Sequence, residues 1–336
     1  MNKKRLIFVT SIIVLLLSFF CALKFGAEKV PFKAVFGFGN KFQNIILWDI
    51  RLPRALLACL TGVLLGGSGA VFQLFFRNPL AEPGIMGISS GATLGGVIAA
   101  TFMGAATAGG VGTFLSRVYS YISPVNLAAF LGALGAGVLV TFLAFTKGGR
   151  RSTIMLLLCG TALGTLYSSA SSLIILTTDK EFHAIYTWIL GSFNGRGWKE
   201  LLFIILPAAL SVMLMFFMAG PLDLLSCGET TAASLGVEVQ KLRIYVLVCG
   251  SLAVSAAVCA GGTIGFVGLI APHIVRKVVG PKGRHLIPFS MIFGAILLLL
   301  SDTIARVLVA PAEIPTGIIT SSLGVPFFIS LCLKEK

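Results

Sequence analysis

The chain has 336 residues, of which 57% are hydrophobic and only 11% charged, against about 25% charged in an average soluble domain. With a mean hydropathy of +0.99, this composition excludes a soluble enzyme and describes a polytopic membrane protein. The formal net charge of +14 therefore reads as cations set around a bilayer, not as a nucleic-acid footprint.

In chain order, MNKKRLIFVTSIIVLLLSFFCAL has the basic start and apolar run of a signal peptide, but no clean small-residue cleavage pattern follows, so an uncleaved first span is expected. Cutting the chain at charges and Gly/Pro breaks gives apolar runs near 6–23, 55–76, 86–106, 125–146, 153–176, 201–219, 244–260, 263–275, 286–301 and 314–333. These predict ten spans. The run 244–275 is divided at Gly261-Gly262, since it is too long for one helix.

The segment Arg51 to Gly96 is the expected organising element. Between Arg54 and Arg77 lie 22 uncharged residues, enough at about 1.5 Å per residue to cross a core of about 30 Å. Pro53 suits a first helical turn, and the exit RNPLAEPG stops the helix and turns the chain. Gly62, Gly66, Gly67, Ser68, Gly69 and Ala70 make a thin face for close approach of another helix.

Residues 177–199 form a connection with an amphiphilic piece holding Trp188 and Trp198, for which a short re-entrant helix is expected. The longest polar connection is 220–243, GPLDLLSCGETTAASLGVEVQKLR. Its pattern predicts two short helices, one around Leu222, Leu224 and Leu225 and one from Glu229 to Leu235, ended by Gly236. A segment this small makes no core of its own and is expected to dock on a partner.

With an inside N-terminus and ten spans, the inner segments hold the majority of the Lys and Arg, which places both termini in the cytoplasm. Arg51, Arg54 and Arg306 lie outside and break the rule. Asp302 and Arg306, i and i+4 on one helical face, are a functional candidate with a structural ion pair as the competing account. His273 reads as an interfacial hydrogen-bonding group, and the seven cysteines, without a CxxC pair, as small buried residues. No GxxxxGK[ST], HExxH or GxSxG is present, so transport is the expected class, with no catalytic residue, no metal and no cofactor held by this chain.

RLPR, the GxxLxxSGxxxQ of Gly62 to Gln73, RNPLAEPGIMGISSGA, ETTAASLGVEV, GxIGFVGLIAPHIVR, SDTIAR and EIPTGIITSSLGVPFF together resemble the FecCD family, the membrane subunits of binding-protein-dependent ABC importers for iron-siderophores, haem and vitamin B12. The resemblance runs over nearly the whole chain. It implies one permease domain over residues 1–336, all-α, with about ten spans in the type II fold of vitamin B12 importers. It also implies a second permease subunit, identical or a close paralogue, two cytoplasmic ATPases that bind ATP and Mg, and an extracytoplasmic substrate-binding protein.

By the same resemblance, Arg51, Arg54 and Arg306 are binding-protein docking residues, and the stretch 229–240, with Glu229, Ala233, Leu235, Gly236 and Val237, couples to the ATPase. Asn78, Leu80 and Thr153 are gate residues. An iron(III)-siderophore chelate is the expected cargo, with haem or cobalamin as the alternative. An ATPase-independent secondary carrier and a structural scaffold are the rivals that the residues alone leave open.

Overall fold

A computed structural model describes residues 3–26, 28, 31, 39–106, 123–146, 153–178 and 183–334. Its helices are α1 (Lys3–Lys24), α2 (Leu52–Phe75), α3 (Ile88–Ala106), α4 (Pro124–Thr146), α5 (Thr153–Leu176), α6 (His183–Ile189), α7 (Trp198–Ser226), α8 (Glu229–Ser234), α9 (Val239–Gly261), α10 (Val267–Val279), α11 (Gly283–Val307) and α12 (Thr316–Lys334). All but α6 and α8 fall on the apolar runs read from the sequence. Among the described residues seven helices are long and apolar enough to cross a membrane, and α3 and α12 carry shorter apolar stretches.

The eighth apolar run holds a short helix. Residues 262–266 are not helical, and α10 has only 13 residues, about 20 Å of helix against a hydrocarbon core of about 30 Å. The break itself lies where the glycines put it. Gly262 takes φ 71°, a left-handed conformation at the end of α9 that favours glycine.

α2 is the hub, in contact with α1, α7, α9, α10 and α11. Its thin face is used as the sequence implied. Gly62 and Gly66 lie against the backbone of α11 at Gly294 and Ser290, and Gly69 lies against Gly268 of α10. At each of these positions an added Cβ would meet a backbone carbonyl. In a bilayer, where lipid tails are as apolar as leucine, such backbone proximity supplies the packing that holds helices together. α2 begins earlier than its apolar run, because Lys41–Ile45 and the π-helical turn Ile46–Arg51 lead into it without a break.

α1 is built into the bundle along α11, with Phe8 edge-on to Phe289 at 5.8 Å between ring centres. α5 lies at the periphery and is the least buried of the seven long spans. The expected short helix in 177–199 is α6, with Trp188 buried and Trp198 exposed, its indole N–H donating to the Trp48 carbonyl at 3.0 Å.

Candidate functional site

The three outlying arginines meet at one end of the bundle, and all three are buried: Arg51 is 5% exposed, Arg54 4% and Arg306 4%. Asp302, at the last turns of α11, is the centre of the cluster. Arg54 donates to it through Nη2 at 2.9 Å and through Nε at 3.1 Å, and Arg306 lies 3.2 Å away. Thr316 at the start of α12 adds a hydroxyl at 3.1 Å. Arg54 also pairs with Glu313 at 2.8 Å, the one member of the cluster that is partly open, at 24%.

The remaining donors close the end of α1. Arg306 donates to the Ala22 carbonyl at 2.9 Å, and Arg51 donates to the carbonyls of Leu23 and Lys24 at 2.9 and 2.8 Å and to that of Glu28. The carbonyls of Ala22, Leu23 and Lys24 are among the last of α1, which have no partner within it. The arginines thus serve as a cap for α1, with their positive charge on the negative end of its dipole. The pairing of Asp302 with Arg306 follows from their spacing; the third partner, Arg54, is 248 residues away in sequence and no spacing rule reaches it.

At the opposite end of the bundle lies the coupling candidate. α7 continues to Ser226, so Leu222, Leu224 and Leu225 belong to that long helix and not to a short one of their own. Gly228 then turns the chain at φ 117°, and α8 follows. Ala232 is its buried foot, while Glu229, Ala233 and Leu235 are exposed, Leu235 to 60%. Gly236 stops the helix at φ 86°, and the Val237 N–H returns to the Ala232 carbonyl at 3.0 Å. Beside the turn that ends α7 is a cleft of about 860 Å³ whose walls carry Arg77, Arg276, Lys282 and Arg284, and also Asp223, whose carboxylate accepts the Gly283 N–H.

The gate candidates share that end. Asn78 is exposed, and its Oδ1 accepts the Leu80 N–H at 2.9 Å, a side-chain turn that fixes the entry to the NPLA segment. Leu80 is half-buried. Thr153 opens α5, and its side chain lies outside the described residues. His273 lies edge-on to Phe327 at 5.5 Å. Among the described residues there is no group of His, Cys, Asp or Glu that would hold a metal ion, and six cysteines are free thiols.

Three features escaped the sequence reading. Gln73 is buried and bridges two elements, donating to the Leu269 carbonyl at 3.3 Å and accepting from Arg276 at 3.1 Å. Glu82 sets its carboxylate beside Gly268, in the first turn of α10. It lines a cavity of about 250 Å³ with Leu65, Ser89, Thr263 and Gly268. A larger cavity of about 480 Å³ adjoins it, sharing Ser89 and Thr263, between α3, α5 and α6. The signal for the last was present as hydroxyl residues at helical spacing in α5, Thr161, Thr165, Ser168 and Ser172.

The comparisons with known proteins agree with this geometry. The FecCD transport family model matches residues 14–334. The cobalamin import system permease protein BtuC of Halobacterium salinarum is 37% identical, over 94% of this chain and 80% of its own length. The hemin transport system permease protein HmuU of Yersinia pestis is 35% identical, over 99% and 97%. The iron(3+)-hydroxamate import system permease protein FhuG of Bacillus subtilis is 34% identical, over 100% and 98%. A solved structure described as an inward-facing metal-chelate type ABC transporter superposes with a TM-score of 0.82 at 32% identity, covering 98% of this chain and 99% of that one. The match runs over nearly the whole chain, and the chain belongs to the FecCD transport family, the multi-pass permease subunits of ABC importers.

Proposed function

We propose that this chain forms half of the membrane pathway of an ATP-driven importer that takes an iron(III)-siderophore chelate from a substrate-binding protein. The carrying observation is the full-length likeness to the metal-chelate type transporter and to a hydroxamate permease. Haem or cobalamin in the same architecture is the second reading, favoured by the hemin and cobalamin permeases among the relatives. A second permease subunit completes the pathway, two ATPases bind ATP and Mg beneath it, and both termini lie in the cytoplasm.

In this reading the α8 end is cytoplasmic. The exposed Leu235 is an apolar side chain for a cleft on the ATPase, and the positive walls beside the end of α7 attract an acidic rim. Asn78, Leu80 and Thr153 form the inner gate. The test is ATP-dependent uptake of a ferric chelate into proteoliposomes holding the permease, its ATPase and its binding protein. Gly236→Val is the matched variant: a Cβ there meets nothing within 4 Å, so the change acts through the positive φ alone. A β-branched residue at that angle costs about 1–2 kcal/mol, which shifts the coupling segment without unpacking the bundle. Uptake and stimulated ATP hydrolysis are expected to fall about tenfold or more with insertion unchanged. Normal uptake would remove α8 from the coupling path.

Docking of the binding protein uses the arginine end. Because Arg51, Arg54 and Arg306 are already satisfied within the chain, an incoming carboxylate must replace an internal one, and Glu313 is the exchangeable partner by its exposure. Glu313→Gln should therefore tighten binding-protein association several-fold, and Arg54→Ala should weaken it and flatten its salt dependence. Surface-plasmon association rates at two ionic strengths decide the matter. If Arg54→Ala lowers thermal stability but leaves rate and salt slope alone, the arginines serve only the fold.

A further inference from the structure

α5 poses a physical problem that the fold alone does not solve. Thr161, Thr165, Ser168 and Ser172 recur at i, i+4, i+7 and i+11, so they share one face, and all four are exposed. Three of them donate back to their own helix, to the carbonyls of Leu158, Thr161 and Ser168, each at 3.0 Å. Their oxygen lone pairs stay open. A hydroxyl track on a spanning helix gains nothing from lipid, whose tails accept no hydrogen bond, so it marks a face turned to water or to a polar solute.

The track runs into the cavity of about 480 Å³. Ser89, Ser90 and Thr93 line it from α3, Ser168, Ser171 and Ser172 from α5, and Tyr186 from α6. Thr263 closes the floor and is held there by donating its hydroxyl to the Ile189 carbonyl. Among the described residues no hydrogen bond is formed by the side chains of Ser89, Ser90, Ser168 or Tyr186, so four hydroxyls stand ready for a ligand. Among the described residues none that lines it is charged. Across the shared wall of Ser89 and Thr263 lies Glu82, an acid.

Electrostatics then choose among solutes. A polyanionic chelate entering this cavity loses water and finds no cation among the described lining residues, with a carboxylate one wall away. A neutral or singly cationic chelate rich in amide and hydroxamate oxygens and N–H groups exchanges water for serine, threonine and tyrosine hydroxyls at little cost. These contacts are individually weak, which a pathway needs, since a site that held its cargo tightly would not release it.

Resting on the importer reading above, we infer that the hydroxyl-lined cavity between α3, α5 and α6 is this chain's half of the cargo site, and that it passes neutral or singly cationic oxygen-rich ferric chelates and rejects polyanionic ones.

The experiment uses the purified permease–ATPase complex in nanodiscs, so that the binding protein does no discriminating. The probes are a neutral ferric trihydroxamate and ferric citrate, and the readout is quenching of protein fluorescence by the bound iron complex. The wild type should bind the trihydroxamate at least about tenfold more tightly than the citrate complex, since charge in a partly dry cavity carries that much discrimination. Ser168→Arg should narrow or reverse the ratio, Ser168→Asp should widen it, and Ser168→Thr should leave it unchanged. Ser168 is exposed, so these variants keep the fold. Equal binding of the two probes by the wild type, or a ratio indifferent to the charge at residue 168, overturns the assignment while ATP-driven chelate uptake still stands. If the complete importer, with its own binding protein, takes up no ferric chelate at all, the importer reading fails and the cavity assignment goes with it.

Discussion

Replacing Asp302 by alanine is expected to cost about 3–5 kcal/mol, because it leaves two buried guanidiniums, Arg54 and Arg306, without their shared carboxylate. The loss spreads beyond the pair. Arg306 also holds the Ala22 carbonyl, so its displacement frees the end of α1 from α11. The measurement is thermal unfolding in detergent, with the monodisperse fraction on size exclusion as a second readout. Adding Arg54→Met to Asp302→Ala should recover part of the loss, since an apolar side chain of similar length removes one uncompensated charge. Asp302→Ala melting within a degree of the parent would mean that water reaches the arginines and that the cluster contributes little.

Gly69→Leu is expected to be as damaging, for a reason of shape and not of charge. Any Cβ at that position runs into the carbonyl of Gly268, and backbone cannot move aside as a flexible side-chain end does. α2 and α10 must separate, and with them the contact that Gln73 makes to Leu269. A cost of about 4 kcal/mol or more belongs to this class of overpacking, enough to send the protein to degradation instead of the membrane. Gly135→Ala in α4 is the control. Nothing lies within 4 Å of its added Cβ, so the loss of a flexible helical glycine should stabilise by about 0.5–1 kcal/mol. Equal melting temperatures for Gly69→Leu and the parent would show that the two helices have slack between them.

These two glycines also mark the boundary of what the residues reveal. In sequence Gly69 and Gly135 are alike, each a small residue in an apolar run; their opposite consequences depend on which helix stands opposite. The run of small residues in α2 did announce a packing helix, because six of them in nine positions leave no other use for that face. Likewise Gly261-Gly262 announced a break, and Gly236 a helix stop, since the positive φ of Gly262 and Gly236 is local chemistry. The separate helix expected at Leu222 to Leu225 did not form because nothing between Ala219 and Ser226 interrupts α7, Pro221 being absorbed within it.

The sequence by itself determined the apolar lengths, their order, the breaks between them and the motif series that fixes the family, because each is written within a few turns of chain. It even paired Asp302 with Arg306, one helical turn apart. Only the tertiary structure decided that Arg51, Arg54 and Arg306 turn inward, that α10 is only 13 residues long and that the hydroxyls of α5 meet those of α3 in one cavity. The physical reason is the same in each case. Whether a charge is buried depends on the partner that compensates it, and whether a hydroxyl faces lipid or a cavity depends on the neighbour across from it; in this chain those partners lie up to 248 residues away, beyond the reach of any periodicity.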